Sequence, residues 1–533
     1  MSRQPNILLV MADQLAAQAL SIYGNAVCKT PNLERLAAQG AVFTNNYSNN
    51  PLCVPSRASM LTGRLSPDIG VYDNANEIAS SLPTMAHFMR AQGYQTFLCG
   101  KMHFIGPDQL HGFEERLTTD VYPADFQWIA DWSAGPAFVP SGTALNGVVE
   151  AGPCIRTMQE DYDDDVAFQA SRKIYDLARS DKKKPFFGVV SFTSPHTPFN
   201  VSQRYWDLYD HNDIDLPAVS EIPFAALDYF SKALFFAHGR HRHSVTKDHL
   251  LNARHAYYAM ISYLDEKLGQ MLDQLDETGL RDNTIVIFTS DHGEMMGERG
   301  MWFKQCFWEW SARVPLVISD RRAAKNIRID ANSSLVDLLP TFIDFGGQDT
   351  ALLRPAIAEL AGHSLMSLLT GDASTAADYV IADYLAIGPC VPCRMVKKGP
   401  YKYIFTHGHP DLLFDLEADP DERVNLAEDA SNAPILAALR KIGMDGYDPD
   451  MLMTRIVASQ RRRSFIAKVP GQKPDWDYVA FQGDAERYVR RDGVDATKSR
   501  LRLPHAATMP PDLPELSSTM IDRIMRGEID FQK

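Results

Sequence analysis

Four short apolar runs, each ending in ionisable side chains, constrain the fold of this chain more than any other feature. Ile7-Leu8-Leu9-Val10-Met11-Ala12 ends at Asp13, and Tyr94-Gln95-Thr96-Phe97-Leu98-Cys99 ends at Lys101 and His103. Phe186-Phe187-Gly188-Val189-Val190-Ser191-Phe192 ends at His196, and Thr284-Ile285-Val286-Ile287-Phe288-Thr289 ends at Asp291-His292. Continuous runs of this length read as strands buried on both faces, as in a parallel sheet. In open α/β sheets the ligand site lies beyond the carboxyl ends of the strands, so the four charged tails are expected to converge.

Helical patterns fall between the runs. Ala256–Thr278 carries apolar residues at steps of three and four and stops at Gly279, while Pro31–Gln39 and Pro83–Gln92 each open on a proline suited to a first helical turn. Alternating β and α elements predict an α/β fold with a large doubly wound, mainly parallel sheet flanked by helices over residues 1–365. A smaller α+β domain is predicted for 366–469, with strands at Tyr379–Tyr384 and Tyr401–Phe405. Residues 470–533, rich in proline, charge and aromatics, read as an extended arm packed on the body or on a neighbouring subunit.

With 533 residues and 45% hydrophobic content, the chain can fill one large core and a smaller one. A net charge of −14 argues against non-specific nucleic-acid binding. Seven scattered cysteines do not form a disulfide framework, and Cys390-Val391-Pro392-Cys393 reads as packing. No run reaches the roughly 18 apolar residues of a membrane span. No secretory signal is visible, so the expectation is a cytoplasmic enzyme without membrane contact. His238–His243, Glu160–Asp165 and Arg461–Arg463 read as solvated or intersubunit charge.

Chemistry concentrates at Cys53-Val54-Pro55-Ser56-Arg57, followed by Leu61-Thr62-Gly63-Arg64. A cysteine before x-Pro-Ser-Arg is the substrate of enzymes that oxidise the thiol to an aldehyde, giving formylglycine. The hydrated aldehyde carries two hydroxyls: one can attack sulfur, and the other can later lose its proton to expel the sulfate. A cysteine phosphatase would need arginine six positions after the nucleophile, where this chain has Ser59. Cys53 stands just before a predicted helix, Pro55–Leu61, whose free N–H groups favour an anion.

The pentad and the Leu-Thr-Gly-Arg element resemble the signature of the type I sulfatases of the alkaline phosphatase superfamily. That resemblance implies a divalent cation held by Asp13, modified Cys53, Asp291 and His292. Typical sulfatases have paired aspartates after the first strand; Asp13-Gln14 lacks one, and the imidazole of His292 moves the ion toward manganese, with calcium the alternative. Arg57, one helical turn after Cys53, can brace the nucleophile and the sulfate oxygens. The resemblance further implies that Lys101 and His103 orient the gem-diol and assist proton transfer, that His196 supports the leaving oxygen and that Lys304 grips the sulfate. It also implies a formylglycine-generating enzyme as partner and a small-molecule sulfate ester as substrate.

Gly100–Trp128 and Trp476-Asp477-Tyr478 are similar to choline sulfatases, whose arms clasp neighbouring subunits; a homo-oligomer, tetramer or dimer, is implied. Asn74, Trp128, Asn146 and Asp383 are the expected substrate-binding residues, with Trp128 and Asp383 suited to a quaternary ammonium. Ala134–Ile155 and Ile387 depart from that pattern and would suit an aryl or alkyl leaving group instead. Two other readings are a phosphonate monoester or phosphodiester hydrolase of the same superfamily, and a silent binding protein with unmodified Cys53.

Overall fold

The four apolar runs are adjacent strands of one sheet in the computed structural model, which describes residues 4–140, 145–181, 184–320, 325–347, 352–371, 378–471, 475–490, 502–505 and 509–531. The sheet has eight strands: β1 (Asn6–Ala12), β2 (Ala41–Tyr47), β3 (Gln95–Gly100), β4 (Glu115–Arg116), β5 (Phe186–Ser191), β6 (Thr284–Ser290), β7 (Leu316–Ser319) and β8 (Ile327–Ser334). They lie in the order β8-β2-β7-β6-β1-β5-β3-β4. All pairs are parallel except those of β7, which runs antiparallel to both neighbours.

Strand alternation explains the unbroken apolar run of β1. Leu8, Val10 and Ala12 enter the core layer beneath the long helix Lys247–Glu277, while Ile7, Leu9 and Met11 enter the opposite layer with Val54, Ala58 and Leu61. That long helix starts at Lys247 rather than Ala256, because the Thr246 hydroxyl accepts the His249 N–H and caps its first turn.

A four-stranded antiparallel sheet follows: β9 (Tyr379–Tyr384), β10 (Cys393–Lys398), β11 (Tyr401–Thr406) and β12 (Leu412–Asp415), in chain order. The buried Lys402 ties it to the large sheet's flank, donating to Glu422 Oε1 at 2.8 Å and the Phe307 carbonyl at 2.8 Å and pairing with Glu309 Oε1 at 2.6 Å. Its companion helix Pro449–Lys468 sends Arg463 onto both oxygens of Asp73, at 2.6 and 2.9 Å.

Three charged stretches differ in part from the sequence expectation: Asp161, Arg242, Arg461 and Arg462 are exposed as expected, but other polar groups in them have internal work. Arg463 is buried on Asp73. Glu160 and Asp163 are buried in the helix Met158–Arg179, where Glu160 closes a capping box with Thr157 and Asp163 accepts N–H groups from Thr193 and Ser194. His238, Arg240, His241 and His243 are buried too; His238 Nε2 contacts Gln305 Oε1 at 2.6 Å, and Arg240 reaches Glu221 at 2.8 Å.

The described parts of the C-terminal segment pack on this chain's own body. Trp476 meets Phe126 edge-on at 5.4 Å, Asp477 accepts the Ala124 N–H, and Tyr478 donates to the Arg116 carbonyl. Further on, Arg502–Leu503 pairs with Arg156–Thr157, and Ile521 and Ile524 of the helix Ser518–Met525 pack against Phe235 and Phe236.

Candidate active site

Register alone brings the first two carboxylates together. Ala12 pairs with Ser290 across β1 and β6, so Asp13 and Asp291, one residue beyond, leave the sheet side by side. On the other flank Gly100 pairs with Ser191, and the Lys101 N–H still donates to the Ser191 carbonyl at 2.9 Å. Lys101 Nζ contacts Asp13 Oδ2.

Cys53 stands in the first turn of a helix, Cys53–Thr62, that begins two residues earlier than expected. Proline is tolerated throughout a first turn, whose N–H groups lack intrahelical partners, so Pro55 did not mark the start. Every residue of this helix is buried, and Asn74 Oδ1 accepts the Val54 N–H at 3.1 Å, satisfying one free donor at its start. One turn on, Arg57 is fully committed: Nε to Asp291 Oδ2 at 2.9 Å, Nη1 to the Lys101 carbonyl and Ser191 Oγ at 2.8 Å each, and Nη2 to Asp13 Oδ2 at 3.4 Å. Arg57 therefore braces the two carboxylates rather than presenting a free guanidinium. Ser56 Oγ fixes the Asp291 carbonyl at 2.6 Å.

Lys304 is the central cation. Its Nζ lies 3.5 Å from Cys53 Sγ, 2.8 Å from His196 Nε2 and 2.5 Å from Gln14 Oε1. Gln14, where a second aspartate was expected, instead orients this lysine and donates from Nε2 to Glu294 Oε2 at 2.5 Å. Burial pushes the Glu294 carboxyl up to about 7, so a neutral amide fits here where another carboxylate would not. The sequence offered no sign of the Gln14–Glu294 contact beyond the missing aspartate.

His196 Nδ1 lies 2.6 Å from the Thr197 carbonyl, which makes Nδ1 the protonated nitrogen and leaves the Nε2 lone pair for Lys304. Burial, then the Lys304 charge, holds His196 well below the ordinary histidine value. His103 is also kept neutral, by burial and then Lys101; neither ring nitrogen has a hydrogen-bond partner among the described residues. Its ring stacks on Tyr122 at 4.3 Å, and Trp128 meets His103 and Tyr122 edge-on at 5.7 and 5.2 Å. Trp128 is partly exposed, so these rings form a wall leading outward.

Two expected substrate-binding residues are engaged elsewhere. Asp383 is completely buried, with both oxygens on Arg394 at 2.8 and 3.0 Å, an opposed pair across β9 and β10. Its charge is already compensated. Asn146 donates to the Met509 carbonyl at 2.8 Å and to Glu150 at 3.3 Å, facing the C-terminal segment.

The donor set fits a divalent cation. One ligand atom each from Asp13, Cys53, Asp291 and His292 lies within 4.8 Å of the others, and Asp13 Oδ1 is buried without a hydrogen-bond partner among the described residues. His292 Nδ1 faces the Gly293 carbonyl at 3.1 Å, which turns the Nε2 lone pair toward the cluster, 3.2 Å from Cys53 Sγ. Burial brings His292 down to about 3 against the opposing charge of Asp291, so its ring is neutral and able to bind metal. Burial would raise Asp291, but the charges of Arg57, Lys101 and Lys304 outweigh it and keep the carboxylate ionised.

Comparison with known proteins accords with this geometry. The Sulfatase family model matches residues 5–347, and the model of the N-sulphoglucosamine sulphohydrolase C-terminal region matches residues 297–444. The chain is 40% identical over 512 residues to the choline-sulfatase of Rhizobium meliloti, covering 94% of this chain and 99% of that one. It is 30% identical over 477 residues to the arylsulfatase of Clostridium perfringens, covering 82% and 93%. The fold is shared with the phosphonate monoester hydrolase of Agrobacterium radiobacter, at a TM-score of 0.64 and 24% identity over 86% of this chain and 96% of that one. The chain belongs to the sulfatase family and is a sulfuric ester hydrolase.

Proposed function

We propose that this chain hydrolyses a small-molecule sulfate monoester using Cys53 after its conversion to formylglycine. The observation that carries the reading is the surroundings of Cys53 Sγ: buried, at a helix start, 3.5 Å from the Lys304 ammonium and 3.2 Å from His292. Burial pushes the Cys53 thiol up, with Lys304 opposing, so the unmodified side chain stays protonated and is a poor nucleophile. The hydrated aldehyde would supply the attacking hydroxyl that the thiol lacks.

Asp13, residue 53 in modified form, Asp291 and His292 would hold a manganese or calcium ion. When bound, the ion supplies a Lewis acid for the sulfate oxygens. Lys304 lies where it can meet sulfate charge, and it holds His196 in place to support the departing oxygen. His103 offers unpartnered nitrogens to a bound ligand, and Lys101 shares the Asp13 side of the cluster.

The relatives named for choline and aryl sulfates set the starting substrates. The test is the mass of the Cys53 peptide together with kcat/KM for choline sulfate, 4-nitrophenyl sulfate and a phenyl phosphonate monoester on one preparation. An aldehyde mass with a preference for sulfate esters supports the proposal. Turnover by a protein whose Cys53 is wholly thiol, or a preference for the phosphonate, would overturn it.

A further inference from the structure

The C-terminal segment delivers a cation to the aromatic wall. Arg490 is 7% exposed, and its N–H donates to the Val121 carbonyl at 3.1 Å. Its Nη1 donates to Tyr122 Oη at 3.2 Å, and that hydroxyl lies 3.5 Å from His196 Nε2. The guanidinium carbon sits 5.2 Å from the centre of the Tyr122 ring, whose neighbours are His103 and Trp128. Nε and Nη2 are buried and have no hydrogen-bond partner among the described residues.

Those two nitrogens form the side-on edge of the guanidinium, the fork that donates to both oxygens of a carboxylate or to two oxygens of a sulfate. A buried arginine with its fork unfilled is costly unless a ligand completes it. The same charge is felt across the site: burial chiefly lowers Lys101 and His196, and Arg490 adds a smaller push in the same direction. A quaternary ammonium placed against this wall would meet the like charge of Arg490, whose Nε and Nη2 have no partner among the described residues. The carboxylate expected to greet it, Asp383, is held by Arg394.

We propose that Arg490 binds the organic half of the substrate and that this half carries an anionic group, a carboxylate or a second sulfate, beside the sulfate ester. This specificity rests on the sulfatase mechanism proposed above.

The test compares 3-carboxyphenyl sulfate with 3-(trimethylammonio)phenyl sulfate. The readout is the ratio of their kcat/KM values in the wild type, Arg490→Met and Arg490→Lys, each with the aldehyde confirmed by mass. Differences in leaving-group reactivity are common to all three proteins and cancel when ratios are compared. Arg490→Met is expected to shift the ratio against the carboxylate ester by about tenfold to a hundredfold, the worth of a charge-assisted hydrogen bond. Arg490→Lys, which keeps the charge and loses the fork, should fall between. A ratio unmoved within about twofold overturns the proposal and reduces Arg490 to a prop for Tyr122.

Calorimetric binding of both esters to Cys53→Ser protein, with and without Arg490→Met, reads the same preference without turnover. If no ester is turned over, the mechanism falls, and binding alone decides the role of Arg490. Tighter binding of the ammonium ester by the Arg490-containing protein would overturn the proposal.

Discussion

Replacing Asp163 by asparagine sets burial against hydrogen bonding in a way that pH can read. Asp163 is fully buried and accepts from the Thr193 N–H at 2.7 Å, Thr193 Oγ1 at 3.0 Å and the Ser194 N–H at 2.9 Å. It thereby holds the start of the loop that carries His196. Burial pushes its carboxyl from 3.8 up to about 6 despite these donors. Such a displacement corresponds to about 3 kcal/mol. The folded value lies above the unfolded one, so the stability this group contributes is fully present below pH 3.8 and lost as pH rises through about 6.

Asparagine does not titrate, and it offers one acceptor oxygen where the carboxylate has two. At pH 7 Asp163→Asn should cost about 1–3 kcal/mol, the price of one orphaned buried donor. Toward pH 4 the gap between wild type and variant should widen by up to about 3 kcal/mol, because only the wild type regains stability there. The assay is the difference in unfolding free energy, or in Tm where unfolding is irreversible, at matched pH values from 4 to 7.5. Contributions from other titrating groups cancel in the difference. A gap that instead narrows on acidification would show that the three donors keep the carboxylate ionised and that burial does not win.

Three further outcomes are expected. Lys304→Met removes the ammonium shared by Cys53, Gln14 and His196 and should lower kcat by about 10²–10³-fold, read with 4-nitrophenyl sulfate on aldehyde-confirmed protein. Chelation should abolish sulfate-ester turnover and lower Tm, since Asp13 Oδ1 has no hydrogen-bond partner among the described residues to replace an ion; divalent manganese or calcium should restore both. Arg463→Met strands the buried Asp73 carboxylate and should cost about 3–5 kcal/mol, seen as a lower unfolding midpoint.

The large sheet was legible because its four central strands are apolar on both faces, and strand ends localise charge. Asp13, Lys101, His196 and Asp291 could therefore be grouped before any coordinates. Other strands of the sheet were not legible for the same reason: β8 has exposed positions and reads IRIDANSS, with no continuous apolar run. β7 is only four residues long. Buried charge was misread wherever its partner is remote. Asp163 serves backbone donors 30 residues away, and Arg463 serves a carboxylate 390 residues away. Arg490, 368 residues from Tyr122, left no local pattern at all. Gln14 was noticed only as a departure, and its task of orienting Lys304 emerged from Glu294, a residue that no motif singled out.

The burial of the Cys53 helix also sets a timetable. Cys53 is 2% exposed, and none of the ten residues from Cys53 to Thr62 lies open on the folded surface. An enzyme that rewrote this side chain, as proposed above, would have to reach it before the helix is buried. If Cys53 is converted as proposed, maturation and folding would compete for the same few residues. Once Arg57 has closed on Asp291 and Asp13, the door is shut, and the thiol is sealed in. The active fraction of a preparation would then record who won that race. Slower synthesis or delayed collapse should raise it without changing a single residue of the finished site.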